Sequence, residues 1–229
     1  MEVIVSCTPL QTAADALSAL LVQYRARPVL LMLSGGSALS FLDLVQTDVV
    51  GPLVTVTVLD ERFSIDLNIN NFAQLERTAF YATCVARGAL AISTAVIPGE
   101  TMAGLAGRFE SALHTWKTAH PNGVIIATMG IGTDGHTAGI LPGAPVEAFF
   151  GEAWVAGYTV PVSINPFTER VTVTATFLRT AVGAAVVFAL GETKRAYIER
   201  IQHTESSLAE MSVAILRDMR SVQIVTDGA

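Results

Sequence analysis

GVIIATMGIGTDGHTAGILPG, residues Gly123–Gly143, decides how this chain is read. Its opening residues are short and apolar, with no alternation of polar side chains, so they fit a strand covered on both faces. The run then breaks into a glycine-rich polar loop that carries one histidine, His136, two residues after Asp134. A buried strand followed at once by such a loop belongs to open α/β sheets, where ligands bind beyond the carboxyl ends of the strands.

Three further segments repeat the pattern. Pro28–Leu33 (PVLLML), Leu53–Leu59 (LVTVTVL) and Ala184–Leu190 (AAVVFAL) are short apolar runs closed by polar or glycine signals. Amphipathic stretches lie between them. Ala13, Leu17, Leu20, Leu21 and Tyr24 share one helical face, and Met102, Leu105, Phe109, Leu113 and Trp116 share another. A helix is expected over Glu192–Gln202. Ser207 and Glu210 have the spacing of a capping box, which predicts a last helix running to about Met219. Val222–Asp227 (VQIVTD) reads as the final strand. Repeated β-then-α units predict an α/β fold: a mainly parallel sheet with helices on both faces, Rossmann-like and three-layered. Trp154–Thr176 breaks the rhythm. It is strand-rich, carries Pro161 and Pro166, and is expected to add antiparallel strands or a small flap. With no repeat or linker in view, residues 1–229 are expected to form one domain.

Composition narrows the partners. Apolar residues make up 51% of the 229 and charged residues 15%, so most segments must be buried on at least one side. The net charge of −6 and a pI near 5.2 offer no footprint for nucleic acid, whose binding rests on phosphate neutralisation. Cys7 and Cys84 fall in no metal or redox pattern and are expected to be buried free thiols in a reducing compartment. MEVIVSCTPL has no basic region ahead of an apolar stretch, so no signal peptide is expected. No apolar run reaches the roughly 18 residues that a membrane span needs. These features predict a cytoplasmic protein with a small-molecule partner, and with neither nucleic acid nor membrane.

The chemistry should lie in the loops that follow the strands. Ser34-Gly35-Gly36-Ser37 leads toward a helix expected from Ala38, and paired glycines with free N–H groups make a phosphate cradle or merely a tight turn. Asp60-Glu61-Arg62 sets three charges directly after a strand, either as substrate contacts or as a surface ion-pair cluster. Lys194 follows the fourth strand near a helix start, where a cation opposes the macrodipole unless an anion is present. Arg170 precedes the alternating VTVT run and is the second candidate for an anion contact. His136 can accept and return a proton near neutral pH, and a carboxylate such as Asp134 can hold its tautomer. His114, His120 and His203, in or beside helical stretches, lack that setting. No second His or Cys stands at ligand spacing from His136, so a metal site is not expected.

With these residues in place, the chain resembles the 6-phosphogluconolactonase family, within the larger group that includes glucosamine-6-phosphate deaminases. The resemblance rests on LSGGS (Leu33–Ser37), LDER (Leu59–Arg62), NNF (Asn70–Phe72), GIGTDGHTAGILPG (Gly130–Gly143), ERVTVT (Glu169–Thr174), LGETK (Leu190–Lys194) and the ending SSL…VQIVTDGA (Ser206–Ala229). It implies a parallel-sheet fold, hydrolysis of 6-phosphoglucono-1,5-lactone to 6-phosphogluconate in the pentose phosphate pathway, and no metal or organic cofactor. It implies that Gly36, Ser37, Arg170 and Lys194, with Gly35 beside them, surround the phosphate. It further implies that His136 activates water, with Asp134 and the surrounding backbone shaping its loop, and that Asp60, Arg62 and Gly135 touch substrate. Deaminases of the group resemble DGH-x-A-F-N-E-P-G, whose glutamate partners the histidine. Leu141 stands at that place here, which favours a lactonase over an aldose- or amino-sugar-phosphate isomerase or deaminase. A non-catalytic sugar-phosphate sensor is the other alternative, and it would need the phosphate contacts but not His136 beside Asp134. The chain departs from the usual family forms at Ala38-Leu39, Phe63–Asn70, Gly139 and Leu141.

Overall fold

The computed structural model of the chain describes residues 1–145, 149–203, 207–208 and 210–227. β1 (Glu2–Ser6) leads into α1 (Pro9–Gln23), with Pro9 in the first turn, where its missing N–H has no helical partner to lose. β2 (Val29–Leu33), β3 (Val54–Val58) and β4 (Asp60–Arg62) follow, then α2 (Asn71–Glu76), α3 (Ala79–Ala86) and β5 (Leu90–Ala91). The chain continues through α4 (Met102–Ala119), β6 (Val124–Gly130), β7 (Val155–Thr159) and β8 (Glu169–Val173). It finishes with α5 (Ala175–Thr180), β9 (Val182–Phe188), α6 (Glu192–His203) and β10 (Val222–Asp227). Asn70, Thr78, Thr101 and Thr174 open α2 to α5, each accepting a backbone N–H in the first turn.

Seven strands form one sheet in the order β1-β10-β9-β6-β2-β3-β5, with every pair parallel. β2 lies inside it, and all five of its residues are buried. Leu30 and Met32 enter a core layer with Leu105, Phe109 and Trp116 of α4. Val29, Leu31 and Leu33 enter the opposite layer with Leu17 and Leu21 of α1, and with Phe72 and Phe80. Both faces of the strand are therefore covered, which is why its sequence is a continuous apolar run rather than an alternation.

A second, antiparallel sheet of three strands, β4-β8-β7, accounts for the irregular region. Its register pairs Asp60 with Thr172 and Arg62 with Arg170 on one side of β8, and Ala156 with Thr172 and Tyr158 with Arg170 on the other. Alternation along each strand sets Asp60, Arg62, Arg170, Thr172, Ala156 and Tyr158 on one face. The other face meets α4 at Gly157, where an added Cβ would lie 3.1 Å from Met102.

The structure corrects three expectations. No α-helix starts at Ala38: the chain makes two short 3-10 turns, Gly36–Leu39 and Leu42–Leu44. The capping-box bonds at Ser207 do form, with Ser207 N donating to Glu210 (3.0 Å) and Glu210 N to the Ser207 hydroxyl (3.3 Å). The regular element that follows is only a 3-10 turn, Ser212–Arg217, because Ser212–Leu216 is buried at every position and offers no polar helical face. Ser206, Gly228 and Ala229, part of the ending quoted above, fall outside the described residues. Cys7 is exposed rather than buried, while burial pushes the Cys84 thiol up to about 12. Among the described residues no helix is long and apolar enough to cross a membrane.

Leu31→Ala removes a fully buried side chain from the central strand and should lower stability by about 2–5 kcal/mol. Urea unfolding monitored by tryptophan fluorescence checks this. A loss below about 1 kcal/mol would contradict the central placement of β2.

Candidate active site

A cleft of ≈ 930 Å³, open to solvent, lies where β2, β3, β6 and β9 end. Among the described residues Asp60 is the only carboxylate that lines it, against Arg62, Arg170 and Lys194. Asp60 pairs with Arg170 at 3.1 Å, with both side chains almost wholly buried. The Arg170 guanidinium also donates to Asn165 Oδ1 (3.2 Å) and to the Phe167 carbonyl (3.3 Å), so its fork is largely committed to the protein. Arg62 is freer. It stacks 4.3 Å from the Phe167 ring centroid, makes one long bond to the Ile69 carbonyl (3.4 Å), and has no partner for Nε among the described residues. Burial, followed by the neighbouring Arg170 charge, pulls the Arg62 guanidinium below its usual value. One carboxylate cannot balance three cations in a half-buried space, so the cleft is built for an anion.

The His136 loop forms the opposite wall. Gly132 N donates to the His136 carbonyl at 2.8 Å, and any Cβ on Gly132 would overlap the imidazole. Glycine is required there for the loop to fold so closely on itself. The imidazole Nδ1 lies 2.5 Å from Asp134 Oδ1, and that oxygen also accepts the His136 backbone N–H (3.2 Å). Partial burial raises the Asp134 carboxyl, but the hydrogen bond and charge of His136 outweigh it and hold the group below its usual value. Asp134 is thus ionised at neutral pH. An ionised acceptor on Nδ1 assigns the proton to that nitrogen and leaves Nε2 as the basic one. Thr137 anchors the next residue through its hydroxyl to the Gly130 carbonyl (2.7 Å) and its N–H to Ser212 Oγ (3.2 Å).

Lys194 sits in the first turn of α6, and its ammonium has no acceptor among the described residues. Gly191, at φ +95°, turns the chain into that helix and donates to both oxygens of Asp227 (3.0 and 3.1 Å). Behind Asp60, Glu61 points to the other face of the small sheet. Its carboxylate accepts from the N–H groups of Arg62 (2.8 Å), Asn71 (2.5 Å) and Phe72 (3.0 Å), and from the Thr94 hydroxyl (2.8 Å). Asn71 in turn donates through Nδ2 to the Asp60 carbonyl (2.9 Å) and to Asp60 Oδ2 (3.2 Å).

Gly35, Gly36, Ser37, Asp60, Arg62, Arg170, Lys194 and His136 therefore converge on one cleft, although they span most of the chain. Asp134 stands behind His136, and Gly135 packs against the Tyr197 ring instead of lining the cleft. Of the alternatives for Asp60-Glu61-Arg62, an ion pair within the tripeptide does not form, and the partner of Asp60 is Arg170. Asn71, the first residue of α2, belongs to the cleft and was marked only as part of the NNF block; Asn165 and Phe167 also belong to it and carried no signal, since one polar or aromatic residue in a loop has no periodicity to mark it. A second, more enclosed cavity of ≈ 460 Å³ lies behind the loop, among Ile140, Leu141, Pro142, Phe149 and Met211. Among the described residues its lining has no cation and includes the Asp134 and Glu210 carboxylates, so it does not suit a sugar phosphate. Among the described residues no three His, Cys, Asp or Glu side chains gather as a metal site would need.

A parallel α/β sheet with a carboxylate-held histidine facing a cationic cleft at its carboxyl end defines an enzyme class that acts on small anionic substrates. The chain belongs to the glucosamine-6-phosphate isomerase/6-phosphogluconolactonase family, whose model matches residues 9–224. A 6-phosphogluconolactonase from Shewanella baltica superposes with a TM-score of 0.79 at 19% identity, covering 99% of this chain and 97% of that one. The Trypanosoma brucei 6-phosphogluconolactonase gives 0.75 at 20% identity, covering 99% and 95%. That from Leishmania guyanensis gives 0.69 at 24%, covering 99% and 96%. Identities this low speak for the fold. No curated protein sequence matches the chain significantly.

Burial pushes the Glu61 carboxyl up to about 7, against the hydrogen bonds from Phe72, Thr94 and Asn71 that pull it down. The native state therefore holds this proton more tightly than the unfolded chain, whose value is near 4.5. Glu61 thus makes the protein lose stability as pH rises between those two values, with the loss complete above the upper one. Glu61→Gln should remove that slope. It should also cost about 2–4 kcal/mol, because two of the four donors would then face an amide NH2 group. Urea midpoints from pH 5 to 8 check both; an unchanged slope in the variant would exclude Glu61 as its source.

Proposed function

We propose that the protein hydrolyses 6-phosphoglucono-1,5-lactone to 6-phosphogluconate, as a cytoplasmic single-domain enzyme of the pentose phosphate pathway. One observation carries the reading: His136, with Nδ1 held by Asp134, faces a cleft in which three cations oppose one carboxylate. Family membership supplies the substrate class, a sugar phosphate. The neighbouring structures named 6-phosphogluconolactonase support the choice within it.

In this mechanism Lys194, Arg62 and the Gly35–Ser37 turn receive the phosphate, while Arg170 braces Asp60 and lends its charge. The Ser34–Ser37 segment acts without an α-helix dipole, because only a short 3-10 turn follows it. His136 Nε2 takes a proton from water as the oxygen attacks the lactone carbonyl, and a tetrahedral oxyanion forms. When the C1–ring oxygen bond breaks, the imidazolium returns that proton to the departing ring oxygen. The products are a carboxylic acid, which gives its remaining proton to solvent and becomes the carboxylate, and a free hydroxyl, with the enzyme unchanged. Asp134 stabilises the imidazolium while it exists. Asp60, fixed by Arg170 and Asn71, is placed to accept a sugar hydroxyl.

Leu141 argues against amino-sugar isomerisation. It is buried in apolar surroundings and cannot orient or protonate a group on the substrate. A sensor would need the cations but gains nothing from an oriented histidine.

Freshly generated lactone should be hydrolysed faster than in buffer alone, with ammonia release from glucosamine 6-phosphate assayed in parallel. His136→Ala should lower kcat by about 10²–10⁴-fold with the fold intact. Lys194→Ala should mainly raise KM, by roughly 10–100-fold, as loss of a charged hydrogen bond implies. A His136→Ala enzyme at full rate would remove the assigned base, and ammonia release would replace the lactonase with a deaminase.

A further inference from the structure

We infer that Tyr158 is a positioning residue for the hydrolytic step: its hydroxyl locks the left-handed turn at Ala138–Gly139 and thereby fixes His136 at the cleft. The inference rests on the lactonase reading for the reaction, and on geometry alone for the lock.

The turn is unusual. Ala138 has φ +49° and Gly139 φ +67°, and Ala138 is the one non-glycine residue described with a positive φ. Alanine gains nothing from this conformation, so its surroundings must impose it. The small sheet does so. Tyr158 Oη donates to the Gly139 carbonyl and accepts the Leu141 N–H (3.1 Å), so one hydroxyl bridges both ends of the turn. Thr172 Oγ1 donates to the Ala138 carbonyl. Gly139 packs so closely on Asp60 that an added Cβ would overlap the Asp60 side chain.

Placement gives the lock its consequence. Tyr158 is the register partner of Arg170, and Thr172 that of Asp60, on the same face of the same sheet. The side chains that hold the histidine loop and those that form the cationic wall are thus neighbours on one rigid surface. Ala138 follows His136 by two residues, so a released turn shifts the imidazole relative to the bound phosphate. Both Tyr158 and Thr172 are buried, so water cannot replace a lost hydroxyl without rearrangement. Burial pushes the Tyr158 phenol up to about 12, which keeps it a donor across the working range.

The test compares wild type with Tyr158→Phe, which keeps the ring and removes only the hydroxyl. Three quantities are measured: steady-state kinetics with the lactone, affinity for 6-phosphogluconate, and amide exchange at Leu141 and along β6. A positioning role lowers kcat by about 10–100-fold, since misplacing a catalytic group by about 1 Å costs that much. KM and product affinity should stay within about twofold, because the phosphate contacts are untouched. Exchange at Leu141 should quicken at least about tenfold while β6 stays protected. Wild-type kcat, or unchanged exchange at Leu141, would overturn the inference. So would loss of protection along β6, which marks a general loss of packing. If Tyr158→Phe does not fold, Thr172→Val decides by the same readouts. If the wild type hydrolyses no lactone, that reading fails, and the lock is judged by exchange alone.

Discussion

The pairing of Asp60 with Arg170 is the interaction on which the rest of the site depends. It spans β4 and β8, is nearly free of solvent, and joins residues 110 positions apart in sequence. Breaking one side of such a pair costs about 3–5 kcal/mol, because a buried charge is left without its partner. Its position also governs the charge of the cleft. With Asp60 spent on Arg170, Arg62 and Lys194 have no carboxylate of their own there. The pair therefore acts less as a source of stability than as a device that fixes geometry and leaves net positive charge for a substrate.

The small sheet turns that pair into an active-site frame. The large parallel sheet brings four loops to one edge, as open α/β sheets do. Loops alone would not hold a histidine and a set of cations at a fixed separation. The face of β4-β8-β7 does, because adjacent rows carry Arg62, Arg170 and Tyr158, then Asp60, Thr172 and Ala156. Glu61, on the opposite face, ties β4 to the start of α2 and to Thr94 through three hydrogen bonds. Neighbouring residues of one tripeptide thus do different work: Asp60 and Arg62 shape the cleft, while Glu61 holds the strand in place.

Much of this was legible in the sequence, for physical reasons. The buried strands read correctly because coverage on both faces leaves unbroken apolar runs such as Val29–Leu33 and Val124–Met129. The cleft residues stood out because a chain with few charges kept several of them at strand ends. Segments whose shape is set by tertiary contacts read poorly. Gly36–Leu39 looked like a helix start, but the chain there is cut into short 3-10 turns. Ser212–Arg217 has helical spacing, yet burial at all but its last residue leaves it no helical face. Asp60–Arg62 looked like a loop because a three-residue strand is too short to show alternation. Tyr158 gave no signal at all, since its role comes from a hydroxyl that meets a turn 17 residues away in sequence.

A crystal structure with 6-phosphogluconate bound tests the account most directly, because it locates both ends of the product at once. The phosphate is expected among Ser37, Arg62 and Lys194, and the C1 carboxylate within hydrogen-bonding reach of His136 Nε2. A product bound with its phosphate at His136, or lodged in the second cavity behind the loop, would contradict it.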